Sequence, residues 1–150
     1  MAEVTDVTAA YFKIKNIVDD TEPEELPAVV AAEYGGYDRA VSHLFDLYQQ
    51  TFDPERAEGE SGEFQFTLVT PEGDKIYVLS VADGTCRVEP GAAATEPTCA
   101  VRIGMADFLR MSCGQTNGAM LAMTGKLEVE GDVIASMNLA DWFVIPETDD

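Results

Sequence analysis

Residues 133–144, VIASMNLADWFV, restrict the fold more than any other stretch of this chain. At about 100° per residue, Val133, Met137, Ala140 and Val144 fall on one side of a helix, and Ala135, Leu139, Trp142 and Phe143 fall roughly opposite. Only Ser136, Asn138 and Asp141 interrupt them. A helix with two apolar sides needs two apolar surfaces to cover it. A sheet can supply one. The second has to come from another helix, a partner subunit or the contents of a cavity.

The segments before it supply the sheet. Tyr37, Val41, Leu44, Phe45, Tyr48 and Phe52 recur at helical spacing and predict an amphipathic helix, closed by Asp53-Pro54. Phe64, Phe66 and Leu68 then alternate with Gln65 and Thr67, the pattern of a half-buried strand. KIYVLSV, TCRVEP and TCAVRIG follow with turn residues between them, and together they predict an antiparallel meander of four strands. Next come two short helices, one in MADFLRMSCG ending before Gly114, one capped by Asn117 or Thr116 and ending before Gly125. KLEVE is a fifth strand with Leu127 and Val129 on one face, and Asp132 is placed to cap the closing helix. Residues 1–36 read as an N-terminal extension, helical or irregular, crossed by the acidic, proline-marked connector DDTEPEELP.

Composition removes several function classes. At 150 residues the chain is long enough for one core, and 46% of it is hydrophobic, which argues against general disorder. With 28 acidic residues against 9 basic ones, a net of −19, it has no basic footprint for nucleic acid and should be repelled by anionic membranes. No run approaches the roughly 20 apolar residues of a membrane span, and MAEVTDVTAAYF lacks the basic start of a secretory signal, so a cytoplasmic location is expected. Cys86, Cys99 and Cys113 form no CxxC pair and His43 is the single histidine, so neither a disulfide framework nor a metal site is expected. No nucleophile elbow or phosphate loop occurs, and no catalytic residue and no cofactor is assigned.

Five of the six methionines, Met105, Met111, Met120, Met123 and Met137, lie in the last third of the chain. Thioethers are flexible and polarizable, which suits a wall that adapts to varied apolar guests. The order of elements, and above all GKLEVEGD preceded by DFLRMSCGQTNGAMLAMT, resembles the sterol carrier protein 2 family of nonspecific lipid-transfer proteins. Asp107, Gly114, Gly125, Lys126, Leu127, Val129, Gly131 and Asp132 stand where that family's pattern has them, and the resemblance runs from Tyr37 to Phe143.

The resemblance implies an α+β domain over residues 37–150, with a five-stranded, mostly antiparallel sheet covered on one face by helices and an apolar tunnel between them. It implies binding and intracellular carriage of a fatty acid, acyl-CoA, sterol or similar lipid. The expected lining is Phe108, Met111, Met120, Met123, Met137, Leu139, Trp142 and Phe143; Arg110 and Lys126 are candidates to meet an anionic head group, but a solvated surface role is expected ahead of that for both. The alternative is an enzyme or enzyme accessory that uses the same cavity to fold or cyclise a hydrophobic substrate. The partner expected is thus a hydrophobic small molecule or lipid, with no nucleic acid and no direct anionic-membrane contact. A protein partner or homodimer is left open by the second apolar side of the closing helix.

Overall fold

The computed structural model describes the backbone of residues 2–143 and the side chains of residues 9–139 and 141–143. Two helices, α1 (Ala2–Asp20) and α2 (Leu26–Tyr34), precede the amphipathic α3 (Tyr37–Thr51) and a single turn, α4 (Pro54–Ala57). Then come β1 (Gly62–Thr70), β2 (Gly73–Ala82), β3 (Thr85–Pro90) and β4 (Cys99–Gly104). Next are α5 (Met105–Ser112), α6 (Gly118–Met123), β5 (Leu127–Gly131) and α7 (Val133–Leu139), which tightens into a 3₁₀ turn at Ala140–Trp142. Among the described residues no helix is long and apolar enough to cross a membrane.

The five strands form one mixed sheet in the order β3-β2-β1-β4-β5. The meander is three strands rather than four, because β4 pairs parallel to β1, with Phe66 opposite Val101. Alternation along a strand fixes its faces but says nothing about the direction of its neighbour. The connection 91–98 decides that direction here. It leaves the β3 edge and crosses the sheet, donating from Ala93 N–H to Gln65 Oε1 at 2.9 Å and from Thr98 N–H to the Glu63 carbonyl at 2.8 Å. Gln65 points away from Phe64 and Phe66, so this crossover covers the face the helices leave open. Val78, in register with Gln65, is buried there.

The other face carries the core. Phe64, Phe66 and Leu68 of β1, Leu79 and Val81 of β2, and Cys99, Val101 and Ile103 of β4 are all buried on it. Phe45 of α3 lies over them, stacked on Tyr77 at 4.8 Å between centroids and tilted against Phe66 at 5.8 Å and Phe108 at 5.5 Å. Residues 1–36 join this same core through Ile14, Val18, Leu26 and Val30.

The closing segment leaves the α-helix after Leu139. Leu139, Trp142 and Phe143 turn inward, with Trp142 edge-on to Phe64 at 5.9 Å and Phe143 edge-on to Tyr48 at 5.2 Å. Asp53 N–H bonds to the Trp142 carbonyl at 2.8 Å and ties the closing 3₁₀ turn to the start of α4. The opposite side is left uncovered, with Val133 50% and Met137 64% exposed. Val144 and the side chain of Ala140, assigned to that side from sequence, lie outside the described residues.

The glycine of GKLEVEGD has a steric reason. Gly131 has φ +96°, and a Cβ there would sit 2.6 Å from the Thr98 carbonyl oxygen, to which Asp132 N–H donates at 3.0 Å. Asp132 in turn accepts from Ala135 N–H at 3.0 Å and caps α7. We expect Gly131→Ala to destabilise the fold by more than about 1 kcal/mol, from positive-φ strain and the backbone collision together. Urea unfolding measures this, and a loss below about 0.5 kcal/mol would show that the turn yields to a Cβ.

Candidate ligand-binding pocket

A pocket of about 760 Å³ lies between the sheet and the helices. Its floor is Phe66, Leu79 and Val101, extended by Leu127 and Val129 of the edge strand β5. Leu44, Phe45, Leu47, Tyr48 and Thr51 of α3 form one wall, and Phe108, Met111 and Ser112 of α5 form the next. Tyr11 and Ile14 reach in from α1. The exposed lining residues gather at Gly114, Gln115 and Asn117 and on α7 at Val133 and Met137, which marks the opening.

The hollow exists because the cover over β5 is thin. The register of β5 on β4 turns Leu127 and Val129 to the core face beside Ile103 and Val101, yet both remain only half-buried. The helix leading into that strand, α6, contributes only the small residues Gly118 and Ala122 to the lining. The helix leaving it, α7, runs only from Val133 to Leu139 before it tightens. Large side chains that would fill the space are therefore missing on the α6 side.

Of the sequence-expected lining residues, Phe108, Met111, Met137, Leu139 and Phe143 border the pocket. Met120, Met123 and Trp142 lie away from it. Met120 and Met123 point to solvent from α6, Met123 at 82% exposure, because a six-residue helix buries only Leu121. The 3₁₀ turn rotates Trp142 onto Phe64, so its indole is packed into the protein rather than into the hollow. Arg110 and Lys126 are also outside the lining, Arg110 facing Asp107 at 3.6 Å. Tyr11, Ile14, Leu44, Phe45, Tyr48, Leu127, Val129 and Val133 are lining residues that the sequence does not single out as such. The α3 stripe and the alternation of β5 do carry a signal for most of them.

The lining holds no Lys, Arg, His, Asp or Glu side chain among the described residues. Its titratable groups are Tyr11, Tyr48 and Cys113, each held protonated by burial. The Cys113 thiol is pushed up to about 11, chiefly by burial and further by Asp19. Tyr48 makes a 2.5 Å hydrogen bond with Ser112 Oγ, and the Ser112 hydroxyl donates to the Phe108 carbonyl at 2.8 Å. His43 stands apart from the pocket, stacked on Tyr34 at 4.6 Å, its pKa lowered mainly by burial. Among the described residues no cluster of His, Cys, Asp or Glu could hold a metal ion.

Residues 42–144 match the family model described as the SCP-2 sterol transfer family. The chain belongs to this family. It is similar to hydroxysteroid dehydrogenase-like protein 2 of Xenopus tropicalis, 26% identical over 133 residues, which cover 80% of this chain and 32% of the relative. The chain thus spans about a third of that relative's length. Among solved structures it resembles the palmitated sterol carrier protein 2-like 2 of Aedes aegypti, with a TM-score of 0.58 and 23% identity over 67% of this chain and 90% of that one. The sterol carrier protein 2 of Yarrowia lipolytica gives 0.55 and 19% over 67% and 89%. A sec-alkylsulfatase of Pseudomonas sp. gives 0.58 and 14%, over 71% of this chain but only 17% of that enzyme.

The Tyr48 phenol is pushed up to about 12 from its ordinary value of 10, chiefly by burial. The folded state therefore keeps this proton where the unfolded chain has lost it. The resulting stability is complete below pH 10 and disappears as pH climbs to about 12. We expect urea stability to fall across that window and Tyr48→Phe to flatten the fall. Equal slopes in both proteins would show that the phenol titrates as it does in water.

Proposed function

We propose that this protein binds a long-chain or polycyclic lipid in the pocket and carries it in the cytoplasm. One observation supports the reading above the others: an apolar hollow of about 760 Å³ in a chain of the SCP-2 sterol transfer family. That volume falls within the roughly 300–1,000 Å³ of small-molecule sites. Each methylene moved from water into it gains roughly 0.8 kcal/mol before ordering costs. A ligand there would also cover part of Val133 and Met137, the side of α7 left facing water. Three buried free thiols suit a reducing compartment.

In this reading residues 37–150 form the lipid-binding domain, and the extension adds Tyr11 and Ile14 to its wall. Carriage is favoured over turnover because Tyr11, Tyr48 and Cys113, the titratable groups of the described lining, all stay neutral and none is paired with a base. A second reading, an accessory that presents a hydrophobic substrate to an enzyme, is supported by the small share of larger proteins that this chain matches: 32% of the dehydrogenase-like relative and 17% of the alkylsulfatase.

Leu127 sits on the edge strand at the pocket wall, where extra bulk meets empty space rather than packed core. We expect the delipidated protein to bind at least one of fatty acids, acyl-CoAs or sterols at micromolar concentration or below, read by native mass spectrometry. Leu127→Trp should raise the apparent Kd by about tenfold or more, with Tm shifted by only a few degrees. Folded wild-type protein that retains none of the three classes would remove the proposal. Retention undiminished in Leu127→Trp would place the ligand elsewhere. Turnover of a bound lipid by the purified chain would favour the second reading over carriage.

A further inference from the structure

The pocket is largely apolar, and the part-buried polar pair in its wall has a direction. Tyr48 from α3 and Ser112 from α5 meet at 2.5 Å in its wall. The Ser112 hydroxyl is donated to the Phe108 carbonyl at 2.8 Å, so the Tyr48 hydroxyl donates to Ser112 Oγ. Both donors of the pair are thereby spent inside the protein. What remains for the pocket is the acceptor capacity of the Tyr48 oxygen.

Charge around the pocket points the same way. The described lining contains no cation, and residues 1–8, 140 and 144–150 contain no Lys, Arg or His at all. Lys15, drawn close enough to act on Tyr11 and Cys113, is bound to Asp19 at 2.9 Å. Asp19 also accepts from Gln115 Nε2 at 2.7 Å and so sets a carboxylate beside the opening. A fatty-acid anion would meet an acceptor inside and, at the opening, a lysine already engaged by its own carboxylate. Taking an unpaired carboxylate out of water is among the costliest steps in burial, whereas a hydroxyl needs a single acceptor.

We infer that the pocket selects uncharged lipids bearing a hydroxyl, a sterol or a long-chain alcohol, over fatty-acid anions, with the Tyr48–Ser112 pair receiving the hydroxyl. This rests on the carrier reading above and deepens it. The hydroxyl lies against Tyr48, near the polar run 115–117, and the hydrocarbon extends over Phe66, Leu79 and Val101.

The test compares 1-hexadecanol with palmitate on the delipidated full chain, each displacing a bound fluorescent sterol. Near neutral pH the alcohol should bind about tenfold tighter or better, and the gap should narrow toward pH ~5 as the acid begins to protonate. Tyr48→Phe should weaken the alcohol by about tenfold and leave palmitate within about twofold. Ser112→Ala releases the Tyr48 proton toward the pocket, so it should improve palmitate several-fold and erode the preference. Palmitate binding as tightly as the alcohol at neutral pH overturns the inference and leaves lipid carriage standing. An alcohol preference unmoved by both variants overturns the role of the pair. Failure of sterol, alcohol and acid alike to bind folded protein takes the carrier reading down with it.

Discussion

The ring of Phe45 holds this molecule together. It stacks on Tyr77 of the sheet and leans on Phe66, Phe108 and Tyr48, so one side chain of α3 touches β1, β2 and α5. Aromatic pairs of this kind add about 0.5–1.5 kcal/mol each beyond the area they bury. The same cluster is the inner wall of the pocket. The core and the site are therefore two sides of one layer of rings, and the hollow is where that layer ends over β5.

That geometry explains how a chain of this size keeps a large cavity. The centre of the sheet is buried, with Phe64 under Trp142 and Phe66 under Phe45 of α3 and Phe108 of α5. The edge strand β5 is served only by two short helices, one carrying Gly118 and Ala122 at the lining and one ending at Leu139. An empty volume costs dispersion contacts along its walls. Tight packing elsewhere, including the tie between Asp53 N–H and the Trp142 carbonyl, offsets that loss. The N-terminal helices take part as well, since Ile14 belongs both to the core and to the pocket wall.

The electrostatics of the chain and of the site run in parallel. A net charge of −19 spreads over the surface, while the described lining is free of charged side chains. Seven basic residues face carboxylates within 4 Å among the described residues, from Lys13–Glu33 at 2.7 Å to Arg56–Asp53 at 3.7 Å. Most are exposed and contribute little to stability. Their larger effect is to leave few cations free for an anionic partner, whether a lipid head group or a membrane surface.

Periodicity alone determined a good deal. The stripe of Tyr37 to Phe52, the alternation of Phe64, Phe66 and Leu68, and the turn at Gly131-Asp132 each stand in the structure where their spacing puts them, because local sterics and one-sided burial decide them. Of the two apolar sides read into residues 133–144, Leu139, Trp142 and Phe143 are buried and Val133 and Met137 stay exposed. Tertiary structure alone decided the rest. It turned β4 parallel to β1, because the route of 91–98 across the sheet is not written in the alternation of Cys99, Val101 and Ile103. It swung Trp142 onto Phe64, because a 3₁₀ turn replaces the α-helix after Leu139 and breaks the 100° advance. It exposed Met120 and Met123, because α6 is too short to bury more than one residue. It brought Tyr48 to Ser112 across 64 positions of chain, a meeting that only the packing of α3 on α5 could arrange.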